Sequence, residues 1–146
     1  MRFLVDTNIL LYAVNLRFPE HARARQFLDR HIADATPWCL TWGVIYEFLR
    51  VATHPRVFPE PLSAARAYGF IAGLLEHDSV TVLVPTGRHL ELLQRTLEEL
   101  SHPAGNLVHD IATAVIMREY GVREIVTADT DFLQFRFLQV RNPLTG

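Results

Sequence analysis

The chain has 146 residues, 49% of them hydrophobic and 21% charged, with a net charge of −2. That size and balance suit one compact domain spanning 1–146 and exclude a chain disordered by composition. No apolar run approaches the ~20 residues that cross a bilayer, the first strand starts too near Met1 for a signal peptide, and the lone Cys39 excludes a disulfide framework, so a reduced, cytoplasmic setting is expected.

Arg2-Phe3-Leu4-Val5 reads as a short buried strand that stops at Asp6. Asn8 to Val14 is apolar and helical in pattern, with Thr7 or Asn8 as its cap. Pro19 suits the first turn of a second helix, whose Ala24, Phe27, Leu28 and Ile32 share one face. Pro37 to Leu40 is a strand candidate, and a helix follows from about Gly43 to Thr53. Three prolines between His54 and Pro61 exclude a helix there and leave an ordered arm. Helices are then expected at Ser63–Leu75 and Thr86–Leu100, with a β-branched, alternating strand at Ser79–Val84 between them.

Leu107 to Tyr120 is apolar on nearly every face, which predicts a central, buried helix ended by Gly121. Glu124 to Thr127 reads as a strand that stops just before Asp129. A short helix and a last strand near Phe137–Val140 complete the pattern. Strands alternating with helices predict an α/β fold: a central, mostly parallel sheet of four to five strands with helices on both faces.

Two acidic residues, Asp6 and Asp129, fall just past the carboxyl ends of strands, the edge where open parallel sheets bind ligands. Glu47 lies in an apolar helix, Asp110 in the first turns of the central helix, and Asp131 two residues after Asp129. Singly, each has an ordinary reading: a cap at Asp6, a dipole partner at Asp110, a solvated stripe at Glu47, a surface turn at Asp129 and Asp131. Together they strain that reading, because Asp6, Glu47 and Asp110 sit in apolar segments and clustered carboxylates repel one another. A divalent cation is the simplest compensation, and an all-oxygen donor set suits Mg2+ or, alternatively, Mn2+, as one or two ions.

The seven histidines form no zinc spacing, and His109 is read as structural, on another helix face than Asp110. All fourteen basic residues are arginine, which removes P-loop and Schiff-base lysines. Arg17, Arg23, Arg25, Arg30 and Arg56 form either an RNA-contacting surface or a solvated face. Trp38, Trp42, Tyr46 and Phe48 are divided between core packing, preferred for at least two, and a groove for a partner.

Phe3-Leu4-Val5-Asp6-Thr7-Asn8-Ile9-Leu10 and Ile45-Tyr46-Glu47-Phe48-Leu49-Arg50 resemble the opening motifs of PIN domains. His109-Asp110-Ile111-Ala112-Thr113-Ala114 and Ile125-Val126-Thr127-Ala128-Asp129-Thr130-Asp131-Phe132 resemble the closing ones, in the same order over essentially the whole chain. The arm from Thr53 to Pro59 and the terminal Arg141-Asn142-Pro143-Leu144 make the chain most similar to the VapC-type toxins of bacterial toxin–antitoxin pairs.

The resemblance implies a PIN-like fold, a homodimer, metal-dependent cleavage of structured RNA such as tRNA or rRNA, and inhibition by a small VapB-type antitoxin. It implies Asp6, Glu47, Asp110 and Asp129 as the catalytic acids, with Asp6, Asp110 and Asp129 on the metal. Thr7, Asn8 and Thr127 would support them, and Asp131 is a supporting or alternative ligand. Three other readings stand beside this one: a PIN-like nuclease of RNA processing or single-stranded DNA, a phospho-acceptor α/β domain, and a catalytically inactive binding module.

Overall fold

The computed structural model describes residues 2–145; Met1 and Gly146, the ends of the expected 1–146 domain, lie outside the described residues. The elements in chain order are β1 (Phe3–Val5), α1 (Thr7–Ala13), α2 (His21–Ala33), β2 (Trp38–Thr41), α3 (Trp42–Ala52) and α4 (Ala64–Leu75). They continue with β3 (Val80–Leu83), α5 (His89–Glu98), α6 (Leu107–Glu119), β4 (Glu124–Val126), a 3-10 turn (Thr130–Gln134) and β5 (Gln139–Arg141).

The five strands form one sheet in the order β3-β2-β1-β4-β5, and every pairing is parallel. From β1 the chain moves outward to β2 and β3, then crosses back to place β4 on the other side of β1. With right-handed crossovers, that reversal puts α1 to α4 on one face and α5 and α6 on the other. The packing agrees: α1 touches α2 and α3, α3 touches α4, and α5 lies along α6. The reversal also opens a crevice between the carboxyl ends of β1 and β4.

The three central strands, β2, β1 and β4, are buried because they present apolar side chains to helices on both sides. Leu4, Val5, Trp38, Leu40, Ile125 and Val126 are fully inaccessible. Each large side chain so buried contributes about 1.5–3 kcal/mol before the entropy of ordering it. On α2, Ala24, Phe27 and Leu28 turn inward as the spacing predicts, and Ile32 packs against the core from its edge. Trp38 and Phe48 are core, whereas Trp42 and Tyr46 are 49% and 68% exposed, which divides those four aromatics two and two. The proline-rich arm is ordered by its ends and its middle: Phe58 is buried against Phe18, Asn15 Nδ2 donates to the Pro59 carbonyl, and Leu62 N donates to Ala52 O.

Several helix limits differ from the sequence expectation, each for a local reason. The first helix begins at Thr7, because Asp6 itself is extended and accepts from Thr7 N. Pro19 lies in the turn before α2. Thr86 stays outside α5, since its N–H and hydroxyl both donate to Glu119 at the end of α6. The α6 helix buries Ile111, Thr113, Ala114, Val115 and Met117, but Val108 in its first turn is 55% exposed. Gly121 follows α6 with φ +67, a conformation that favours glycine.

Candidate active site

The crevice between β1 and β4 is built from chain ends. Asp6 follows β1, and its backbone N–H donates to Val126 O at 3.0 Å, which locks the two strand ends together. The Asp6 carboxylate accepts from Thr7 N at 2.8 Å, Thr127 Oγ1 at 2.8 Å and Asn8 Nδ2 at 3.4 Å. Asn8 Nδ2 also donates to Thr127 Oγ1, and Asn8 Oδ1 accepts from Ala128 N. Thr127, fully buried, accepts in turn from Asp129 N at 3.0 Å. Thr7 reaches the other way, its hydroxyl donating to Val44 O in the first turn of α3. The three expected supporting residues thus bind Asp6 to α3 and to the loop after β4.

Four aspartates face this network. Carboxylate oxygens of Asp110, Asp129 and Asp131 all lie within 4.8 Å of one another. Asp129 is fixed by its own loop, its side chain accepting from Asp131 N at 2.8 Å. Burial pushes the Asp6 carboxyl above its ordinary value, outweighing the hydrogen bonds from Thr127 and Thr7, and the Asp129 charge adds to the rise. Asp110 is pushed up to about 7, first by burial and then by the charges of Asp6, Asp129 and Asp131. Burial and neighbouring charge raise the proton affinity of Asp6 and Asp110, and a cluster of carboxylates so placed favours a cation. Their hard oxygen donors fit magnesium or manganese rather than zinc or copper.

Glu47 is placed differently. Its carboxylate is gripped by Arg50 of the same helix, at 2.6 and 3.1 Å, and this contact holds it below the usual carboxylate range. His109, read from the sequence as structural, is exposed and lies near enough to influence the carboxyls of both Asp6 and Glu47. Its ring sits beside Gly43, where an added Cβ would lie 3.7 Å from Cε1. Packing of α6 against α3 brings His109 to that position. The Glu47–Arg50 pairing carried a signal, an i, i+3 spacing on one helix face; the position of His109 carried none.

The chain matches the PIN domain family over residues 3–138. It belongs to that family. Among curated relatives, this PIN-domain chain is 36% identical over 139 residues to Ribonuclease VapC33 of Mycobacterium tuberculosis, covering 95% of the chain and 96% of the relative. It is 34% identical over 140 residues to Ribonuclease VapC37 of the same organism, covering 96% of each. The fold is shared with VapC20 of Mycobacterium tuberculosis, described as a sarcin-ricin loop cleaving toxin, at a TM-score of 0.67 and 21% identity over 96% of this chain and 99% of that one. VapBC2 from Rickettsia felis, solved with a DNA fragment from its promoter, gives a TM-score of 0.71 at 16% identity, covering 97% and 98%. The PIN domain is therefore of the VapC ribonuclease type.

Proposed function

We propose that this VapC-type PIN domain is a divalent-metal-dependent endoribonuclease, the toxin of a VapBC-type pair, that hydrolyses phosphodiester bonds in structured RNA such as tRNA or rRNA. The observation that carries this reading is the convergence of Asp110, Asp129 and Asp131 beside Asp6 at the reversal of strand order. Asp6, Asp110 and Asp129 would hold Mg2+ or Mn2+, with Asp131 as a further ligand or a partner that orients Asp129. When bound, such an ion lowers the pKa of water and stabilises charge on phosphate oxygens.

The protein groups have distinct tasks. Thr127, Asn8 and the Thr7 amide hold the Asp6 carboxylate in one orientation. Asp110, pushed up to about 7, would exchange its proton for a bound cation, so metal affinity would fall as pH drops below about 7. Glu47 stays ionised through Arg50, and its expected role as the fourth catalytic acid would be to accept a proton from the attacking water at its carboxylate.

An antitoxin has a matching surface. Trp42, Tyr46 and Leu49 of α3 face Tyr68, Ile71 and Leu75 of α4 across an apolar groove of about 450 Å3. Exposed aromatics in a groove between two helices suit the apolar face of a partner helix, and we assign the groove to a VapB-type antitoxin. The homodimer implied by the resemblance is part of the same proposal.

The experiment is incubation of antitoxin-free protein with total RNA, with magnesium, manganese or a chelator, alongside Asp6→Asn. Cutting at discrete sites that needs metal and is lost in the variant supports the reading. A folded protein that cuts in no metal, or a variant that cuts as well as the parent, removes it.

A further inference from the structure

A second charged site lies one strand away from the aspartates. Arg23 and Arg30 of α2 and Arg141 at the end of β5 surround a cavity of about 600 Å3 completed by Gln26, His31 and Asn142. The Arg141 guanidinium lies over the Phe27 ring, its Cζ 5.3 Å from the centroid. The neighbouring acids sit at the limit of ion pairing, Asp34 at 3.9 Å from Arg30 and Glu124 at 3.8 Å from Arg141. Three arginines elsewhere close more tightly on carboxylates, Arg25 at 3.2 Å, Arg50 at 2.6 Å and Arg118 at 2.8 Å, while Arg95 sits at 3.7 Å from Glu99.

Among the described residues, the side chains of Arg30 and Arg141 make no hydrogen bond. His31 Nδ1 is enclosed without a partner, its ring held between Phe27 and Phe3 at centroid distances of 4.4 and 5.0 Å. The helix dipole accounts for Arg30 and His31 in the last turn of α2. Arg23, whose Nη1 donates to Leu144 O at 3.1 Å, and Arg141 bring two further guanidinium groups to the same cavity.

This cavity and the acidic crevice are joined through the backbone of β4 and β5. Thr127 N donates to Arg141 O at 3.0 Å, and the same Thr127 carries the hydroxyl that holds Asp6. We propose that the Arg23, Arg30 and Arg141 cavity binds a backbone phosphate of the RNA strand outside the acidic crevice, an inference that rests on the ribonuclease reading above. A chain with net charge −2 and an acidic crevice repels a polyanion. It needs a cationic foothold outside the crevice, and planar guanidinium forks match phosphate oxygens.

The test is fluorescence anisotropy of a labelled single-stranded RNA of mixed sequence, in an Asp110→Asn background, from about 50 to about 200 mM salt. The pair Arg30→Gln with Arg141→Gln is expected to weaken binding about tenfold at low salt and to flatten the log–log salt slope by about 1. Arg30→Gln alone, at a side chain 77% exposed, cannot act through misfolding and is expected to weaken binding about threefold. The α4 variant Arg66→Gln, which removes the same charge elsewhere, is expected to leave both affinity and slope unchanged. Unchanged affinity and slope in both cavity variants overturns the inference, as does loss of binding to a labelled polyglutamate with RNA binding kept. If the parent cuts total RNA and the cavity variants still bind like it, only the cavity assignment fails. A parent that neither binds nor cuts RNA fails the ribonuclease reading itself.

Discussion

Thr127 donates its hydroxyl to the Asp6 carboxylate at 2.8 Å, and through that bond the loop after β4 holds the residue that follows β1. The two residues are far apart in sequence and meet because β1 and β4 are parallel neighbours. The bond lowers the proton affinity of an Asp6 that burial otherwise raises.

Thr127→Val keeps the shape and removes the donor. It leaves a partly buried carboxylate with one fewer partner, so a loss of about 1–2 kcal/mol is expected in urea unfolding near neutral pH. Thr127→Ser should recover most of it. A Thr127→Val protein as stable as its parent would show that Asp6 does not depend on this hydroxyl.

Asp110→Asn separates chemistry from stability. The raised proton affinity of Asp110 belongs to the folded state, so the metal-free protein binds more protons folded than unfolded. Its contribution is fully present below the ordinary carboxylate range and is lost as pH rises through about 7. The variant has nothing to lose over that window. In chelator at pH 8 it should exceed the parent by on the order of 1 kcal/mol, allowing for solvent screening in an open crevice, and the gain should shrink towards pH 4. RNA cleavage should vanish in the same variant. Equal unfolding curves at pH 8 would remove the repulsion argument.

Glu47 is tested by the contrast between its two partners. Its ion pair with Arg50 is largely exposed, and such pairs contribute only about 0.3–0.5 kcal/mol. Glu47→Gln should therefore leave stability nearly unchanged while lowering the cleavage rate about a hundredfold, as loss of a general base does. Unaltered turnover would confine Glu47 to its pairing with Arg50.

Ala35 carries a prediction unrelated to catalysis. After α2, Thr36 N donates to His31 O and Ala35 N to Ile32 O, the paired closure that usually places glycine at the left-handed position. Here alanine occupies it with φ +52. Ala35→Gly should stabilise the chain by about 0.5–1 kcal/mol in thermal or urea unfolding. A neutral or negative result would mean that the added freedom of the unfolded chain offsets the relief.

The parts of this architecture legible in the sequence were those set by local pattern. Asp6 and Asp129 stand at strand ends because apolar runs stop at them, and alternation of strands and helices implied the parallel sheet and its carboxyl edge. Contacts made only by tertiary packing were not legible. Thr86 is helix-compatible until Glu119 captures it. His109 comes beside Gly43 only because α6 packs against α3. Arg23 and Arg141 meet because the last strand lies beside β4, under α2, and no spacing announces that.

The central claim is that the aspartates act as one metal centre, and the direct measurement is calorimetric titration of manganese into chelator-treated protein. The parent should bind saturably, with proton release that varies between buffers of different ionisation enthalpy, as displacement of the Asp110 proton requires. Asp129→Asn, folded as judged by its unfolding curve, should lose that binding. Saturable binding that survives in both Asp110→Asn and Asp129→Asn, or no binding by the parent, would contradict the account.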